Sequence, residues 1–169
     1  MTVYKMPLQE TEPADGTVII EWSGTMLARR LIEHEREQMM EQLLDLIQRF
    51  VDKSADEQDA AAIMEDIICG DRRLLTAIKG NELLGLAVLS VIVYQSGHKT
   101  LLISGLAGIR LKDWAEEIMT QIKTVAKNAK CDSITCSGPD GWMKKYLEVG
   151  WNSDPWTAVY RTYRLNLED

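Results

Sequence analysis

The stretch from Arg73 to Leu106 constrains this chain more than any other. Three β-rich runs, Arg73–Lys79, Leu83–Tyr94 and Thr100–Leu106, are separated only by Gly80-Asn81 and by Gln95–Lys99. Connections this short join neighbouring antiparallel strands, whereas a parallel crossover needs about a dozen residues or more. The run therefore predicts a three-stranded meander. A sheet of this kind has two faces to bury, so the flanking sequence must supply the cover.

Both flanks carry the periods of helices and strands. Thr17–Trp22 is short and β-branched, which predicts a first strand. Ser23 to Thr25 offers capping side chains. Leu27, Leu31, Met39, Leu43, Ile47 and Phe50 then recur at helical spacing among Arg29, Glu33, Arg36, Glu37, Glu41 and Asp45, predicting one long charged helix. Ser54-Ala-Asp-Glu57 matches a capping box and predicts a second helix to about Ile68, stopped by Gly70. Beyond the meander, Leu111–Asn128 reads as a helix with Trp114, Ile118, Met119, Ile122 and Val125 on its apolar face. Asp132–Cys136 reads as a strand, Pro139–Val149 as a short helix opened by proline, and Trp156–Leu167 as a final strand. Residues 1–16 read as an extended lead-in, and 17–169 as one domain. The order predicts an α/β fold whose mixed, mostly antiparallel sheet is flanked by helices.

Composition narrows the function. A formal net charge of -7 argues against binding the phosphate backbone of nucleic acid and suits solubility or a basic protein partner. The longest apolar stretch, Leu83–Tyr94, contains Gly85 and Ser90 and is too short to cross a bilayer. The first residues lack an apolar signal segment, so the expected compartment is the cytoplasm. Cys69, Cys131 and Cys136 form no Cys-x-x-Cys, and His34 and His98 are not near them in sequence. Neither a metal site nor a disulfide framework is expected.

Short catalytic motifs fail one by one. His34-Glu35 starts like the zinc-protease motif, but Gln38 stands where the second histidine is needed. The chain contains no phosphate-binding Gly-x-x-x-x-Gly-Lys, no Gly-x-Gly-x-x-Gly and no Gly-x-Ser-x-Gly. The carboxylate pairs Asp56-Glu57 and Glu116-Glu117 lie in helical, solvated stretches and define no acid–base pair.

The element order is more telling. Two helices, a meander, a helix, a strand, a short helix and a strand follow one another as in the GNAT N-acetyltransferases. Glu82-Leu-Leu-Gly85-Leu-Ala-Val88 and Tyr146-Leu-Glu-Val-Gly150-Trp151 resemble two signatures of that family. The resemblance spans about Arg72 to Leu167. It implies acetyl-CoA as cofactor, contacts to it from Ile103, Gly105, Gly108 and Arg110, and Tyr146 as the general acid that protonates the departing thiolate. Glu21 and Asp71, near strand ends, are candidates for the base.

One departure from the family pattern bears directly on function. In the family an Arg/Gln-x-x-Gly-x-Gly/Ala turn presents backbone N–H groups at a helix N-terminus to the cofactor pyrophosphate. Here the corresponding stretch is Ser104-Gly105-Leu-Ala-Gly108-Ile-Arg110-Leu-Lys112-Asp113-Trp114. Its Gly pair does not directly open the helix, and Asp113 would repel a phosphate that Arg110 and Lys112 would attract. The series Leu106-Ala-Gly108, Asp113-Trp114, Cys131-Asp-Ser-Ile134 and Gly138-Pro-Asp-Gly141-Trp142 resembles GNAT-like proteins encoded by tailed bacteriophages. That likeness implies a degenerate, non-catalytic protein that binds a protein partner, such as a phage structural protein, in the virion or its assembly. Trp142 and Trp151 are read as core or docking residues. An active acyl-CoA-dependent transferase is the alternative, and an acidic anti-host factor the second alternative. Met39-Met40 and Leu43-Leu44 widen the apolar surface of the charged helix, which suits packing onto the sheet and the second helix first, and a helical partner or self-association as the alternative.

Overall fold

A computed structural model describes residues 16–32, 37–54, 58–138, 142–149, 151 and 155–159 of the 169-residue chain. Five strands lie in sequence order across one sheet. They are β1 (Thr17–Trp22), β2 (Arg73–Lys79), β3 (Glu82–Val93), β4 (Lys99–Gly108) and β5 (Ser133–Cys136). The first four pair antiparallel, and β5 runs parallel to β4. The expected mixed, mostly antiparallel sheet is thus present. The meander forms because Gly80 and Gly97 take left-handed φ values of 61° and 85°, which allow tight reversals.

Helices cover both faces. α1 (Gly24–Ile32), α2 (Glu37–Val51) and α3 (Ala60–Cys69) share one core with Ile20, Trp22, Leu74, Ile78, Leu83, Leu86 and Val88. α4 (Ala115–Asn128) and α5 (Trp142–Glu148) lie with Leu75, Ala77, Leu84, Ala87, Leu89, Leu101 and Ile103 in the other. Alternation along β2 assigns the faces: Leu74 and Ile78 look to α1–α3, and Leu75 and Ala77 to α4. The first core also holds one buried polar pair, the Trp22 indole donating to Thr76 Oγ1 at 2.8 Å.

Two bulges break this alternation beside the later site. Ala77 pairs with Gly85 and Ile78 with Leu83, so Leu84 is an extra residue in β3. Val88 pairs with Gly105 and Leu89 with Ile103, so Ser104 is an extra residue in β4. Each extra residue shifts the side chains beyond it to the opposite face. Leu101 and Ile103 accordingly share a core with Leu106 rather than with Gly105.

Several sequence expectations need correction. Within the charged stretch 27–50 the described residues form α1 to Ile32 and α2 from Glu37. Residues 33–36 between them lie outside the described residues. The helix expected from Ser54 starts instead at Ala60, capped by Asp59, whose carboxylate accepts the Ala62 N–H at 3.0 Å. Ser54 donates to the Val51 carbonyl at the end of α2. Leu111–Asp113 is a separate 3-10 turn before α4, and Trp156–Val159 are not in a strand. The rest of that expected strand, the lead-in 1–15, His34 and Asp56-Glu57 lie outside the described residues.

Candidate functional site

The sheet opens where β4 and β5 part. They pair from Thr100–Ser133 to Ile103–Cys136, and the Ser137 N–H reaches the Ile103 carbonyl at 3.5 Å. Past that point β4 runs on to Gly108 with β3 on one side and no β5 partner on the other. The sequence-derived cofactor residues Ile103, Gly105, Gly108 and Arg110 are therefore brought together along one strand and its exit, beside a wedge.

Side chains of the same chain already occupy the surroundings of that wedge. Gly85 and Gly108 are cross-strand partners, and the Trp114 ring lies on both. A Cβ on Gly108 would fall 2.5 Å from the ring. Trp114 is fully buried, and its indole N–H donates to the Ile109 carbonyl at 2.7 Å. Gly105 faces the other core, where a Cβ would fall 2.6 Å from the Phe50 ring of α2. The bulge residue Ser104 donates its hydroxyl to the Val88 carbonyl, and its own carbonyl accepts from the Gln58 amide at 3.3 Å. Arg72 donates to Gln58 at 3.4 Å and to Asp66 at 2.9 Å, so a chain of polar contacts from α3 reaches the bulge.

Several groups of the turn after β4 are engaged within the chain. Arg110 takes a left-handed φ of 49°. Its guanidinium meets Glu82 at 2.8 Å and Asp113 at 3.7 Å. The Ile109 N–H donates to the Leu84 carbonyl, the Asp113 N–H to Arg110, and the Trp114 N–H to Leu111. Glu116 and Glu117 stand in the first turn of α4, where carboxylates are favoured by the helix dipole and a phosphate would meet their charge.

The candidate acid lies deeper. Tyr146 on α5 is 3% exposed, with its ring 4.8 Å from that of Trp151 and 6.2 Å, edge-on, from Trp114. The Trp151 indole donates to the Ala115 carbonyl at 2.9 Å, and Trp151 stacks on Trp156 at 5.8 Å. The aromatic residues thus form one connected array from the Gly85–Gly108 pair to the region beyond β5. Neither candidate base joins them. Glu21 lies on β1, three strands from β4, or about 14 Å at the usual strand spacing, and it meets Arg73 at 3.5 Å. Asp71 sits in the turn before β2, its N–H bound to the Asp66 carbonyl.

At the mouth of the wedge, burial pushes the Cys136 thiol up to about 12, which keeps it protonated at neutral pH and unsuited to nucleophilic attack. A cavity of about 310 Å³ opens beyond β5, among Lys123, Lys127, Ser133 and Trp156, at the far end of the aromatic array. No group of His, Cys, Asp and Glu among the described residues is arranged to hold a metal. No described helix is long and apolar enough to cross a membrane.

Gln58, Phe50 and Glu82 escaped the sequence reading because each acts from a distant element. A glycine pair in adjacent strands followed by an unexplained tryptophan was the one signal that marked the plugged corner.

No family model matches the sequence, and no curated protein matches it. Solved structures do match in shape. A ribosomal-protein-alanine N-acetyltransferase from Brucella melitensis biovar Abortus 2308 superposes with a TM-score of 0.61 at 11% identity, over 90% of this chain and 100% of that one. An aminoglycoside acetyltransferase, HMB0005, from an uncultured soil metagenomic sample gives 0.62 at 11% identity, over 90% and 99%. A GNAT family acetyltransferase from Staphylococcus aureus gives 0.56 at 13% identity, over 89% and 99%. Identities this low speak for architecture, not activity. In the order of its elements, its parallel β4–β5 step and its helix-covered sheet, the chain has the fold of the GNAT acetyltransferases.

Proposed function

We propose that this protein is a degenerate, non-catalytic member of the GNAT fold that works by binding another protein. The observation that carries the proposal is the turn between β4 and α4, whose arginine is paired with carboxylates and whose helix start is lined by them. A family-type pyrophosphate site needs unpaired N–H groups and positive charge at that helix start. Here Arg110 is engaged by Glu82 and Asp113, and the N–H groups of Ile109, Asp113 and Trp114 are bonded within the chain. Three carboxylates, from Asp113, Glu116 and Glu117, surround the helix start. The bulge carbonyl of Ser104 is covered by Gln58, and Tyr146 is packed between tryptophans. A role in a phage particle or its assembly, implied by the Gly138-to-Trp142 sequence likeness, belongs to the same proposal and rests on that likeness alone.

The deciding measurement is a thermal-shift titration with acetyl-CoA. A ligand that binds only the native state at 100 times its Kd adds about 2.7 kcal/mol of stability. The expected result is no shift at millimolar acetyl-CoA. Saturable micromolar binding, with acetylation of an amine, would overturn the proposal.

One observation favours the opposite function. β4 and β5 do part after Ile103, and the β4 bulge at Ser104 stands beside the opening. An active acyl-CoA-dependent transferase would use Ile103 to Arg110 for the cofactor and Tyr146 as acid. It requires that Tyr146→Phe slow turnover while the protein stays folded. An acidic anti-host factor draws less support. Six described carboxylates, Glu21, Asp45, Asp66, Glu82, Asp113 and Asp132, sit beside arginine or histidine rather than in one acidic sheet.

A further inference from the structure

The far end of the β3–β4 hairpin carries a different kind of surface. β2 begins at Arg73, opposite Leu89, so Ser90 to Val93 pair with β4 on one side and have no β2 partner on the other. Just before β2, the N–H groups of Asp71 and Arg72 both bind the Asp66 carbonyl, which holds the chain against α3 and away from that lane. The Tyr94 N–H donates to His98 across the hairpin at 2.9 Å. Because successive residues aim their backbone groups to opposite sides, Ser90 and Ile92 also point to β4, and Val91 and Val93 point outward. Val91 is 38% exposed, Val93 64% and Tyr94 44%.

Exposed, apolar and unpaired strand edges are liabilities that proteins blunt with charge or proline, or else use. This one is not blunted. Leu83 to His98 contains no Asp, Glu, Lys or Arg, in a chain whose net charge is -7. Two copies therefore approach here with the least like-charge repulsion. The segment is also palindromic: Val91-Ile92-Val93 reads alike in both directions. A two-fold axis near Ile92 would set Val91 of one copy opposite Val93 of the other. The outward N–H and carbonyl groups of both would then form about four backbone hydrogen bonds.

We infer that Ser90–Tyr94 is a self-association edge, through which two copies of this chain join their sheets antiparallel into one. It is a surface distinct from α2, where the sequence offered self-association as an alternative, and it lies at the opposite end of β3 from the Gly85–Gly108 pair. It stands whether or not the cleft holds a cofactor.

Sedimentation velocity across micromolar to millimolar protein tests it on the full chain. The wild type is expected to pass from monomer to dimer, and Val93→Lys to weaken the dimer about tenfold or more by placing a charge on the edge. Val93 is mostly exposed, so the variant keeps its fold, which circular dichroism checks. Leu44→Lys, on the exposed side of α2, should leave association unchanged. Amide hydrogen exchange adds a residue-level readout: Val91 and Val93 gain protection with concentration while Ile92 does not. A wild type that stays monomeric throughout overturns the inference, as does a dimer that survives Val93→Lys or is lost in Leu44→Lys.

Discussion

The two ends of the β3–β4 hairpin are built from different residues and are treated in opposite ways. At one end Gly85, Gly105 and Gly108 lack side chains, and Trp114 and Phe50 fill the space above them. At the other end Val93 is largely uncovered, and Val91 and Tyr94 beside it are partly exposed. The glycine end is therefore directed inward, its volume filled by side chains of the same chain. The valine end is directed outward. Substitutions at the first should cost stability, and substitutions at the second should cost association and little else.

The largest effect is expected for Trp114→Ala. Removing a fully buried indole that bridges two strands should destabilise the protein by about 3–5 kcal/mol, read from urea unfolding midpoints. An effect below about 1 kcal/mol would mean that the corner is not packed as described. Gly108→Ala tests the same corner from below, by overpacking. It meets the Trp114 ring and the Leu84 carbonyl, and a loss of about 1–3 kcal/mol is expected.

Next in size is Asp59→Ala, which removes the N-cap of α3 and should cost about 1 kcal/mol. It also distinguishes Asp59 from the sequence-derived start at Ser54, since a cap at Ser54 would leave Asp59→Ala nearly silent. Arg110→Ala should cost less than about 1 kcal/mol, because its ion pair with Glu82 is about half exposed and screened by water. If it instead abolished acetyl-CoA binding, the proposal of a non-catalytic protein would fail.

The smallest effect at neutral pH concerns Cys136. Its thiol is raised in the folded state, so the native protein favours the neutral form more than the unfolded chain does. The contribution is fully present below the unfolded value near 9 and is lost as pH rises toward about 12. Cys136→Ala should flatten that alkaline decline in urea-midpoint measurements. In thiol titration at pH 8, the exposed Cys69 should react first and Cys136 only after denaturant is added.

The sequence was informative wherever a requirement was local. β1 and β2 fell on their predicted spans because each is one short β-branched or alternating run between clear breakers. Gly80, Gly97 and Gly70 marked reversals through conformations that glycine reaches most easily. Local signals also misled. The capping-box pattern at Ser54 suggested a helix start there, whereas α3 begins at Ala60 with Asp59 as its cap.

The site was legible as a list and not as an arrangement. Ile103, Gly105, Gly108 and Arg110 do line one strand exit, but Gln58 reaches it from 46 residues away and Glu82 from 28. Tyr146 was expected as an acid from a resemblance in sequence, yet its placement between Trp114 and Trp151 depends on how α5 packs beside α4. The sequence by itself determined the meander, the order of elements and the acidic charge, because turns and periods act over a few residues. Only the tertiary structure decided which backbone groups of the β4–α4 turn are already bonded and which strand edge is left bare. Those outcomes depend on contacts between residues far apart in the chain, and no local pattern encodes them.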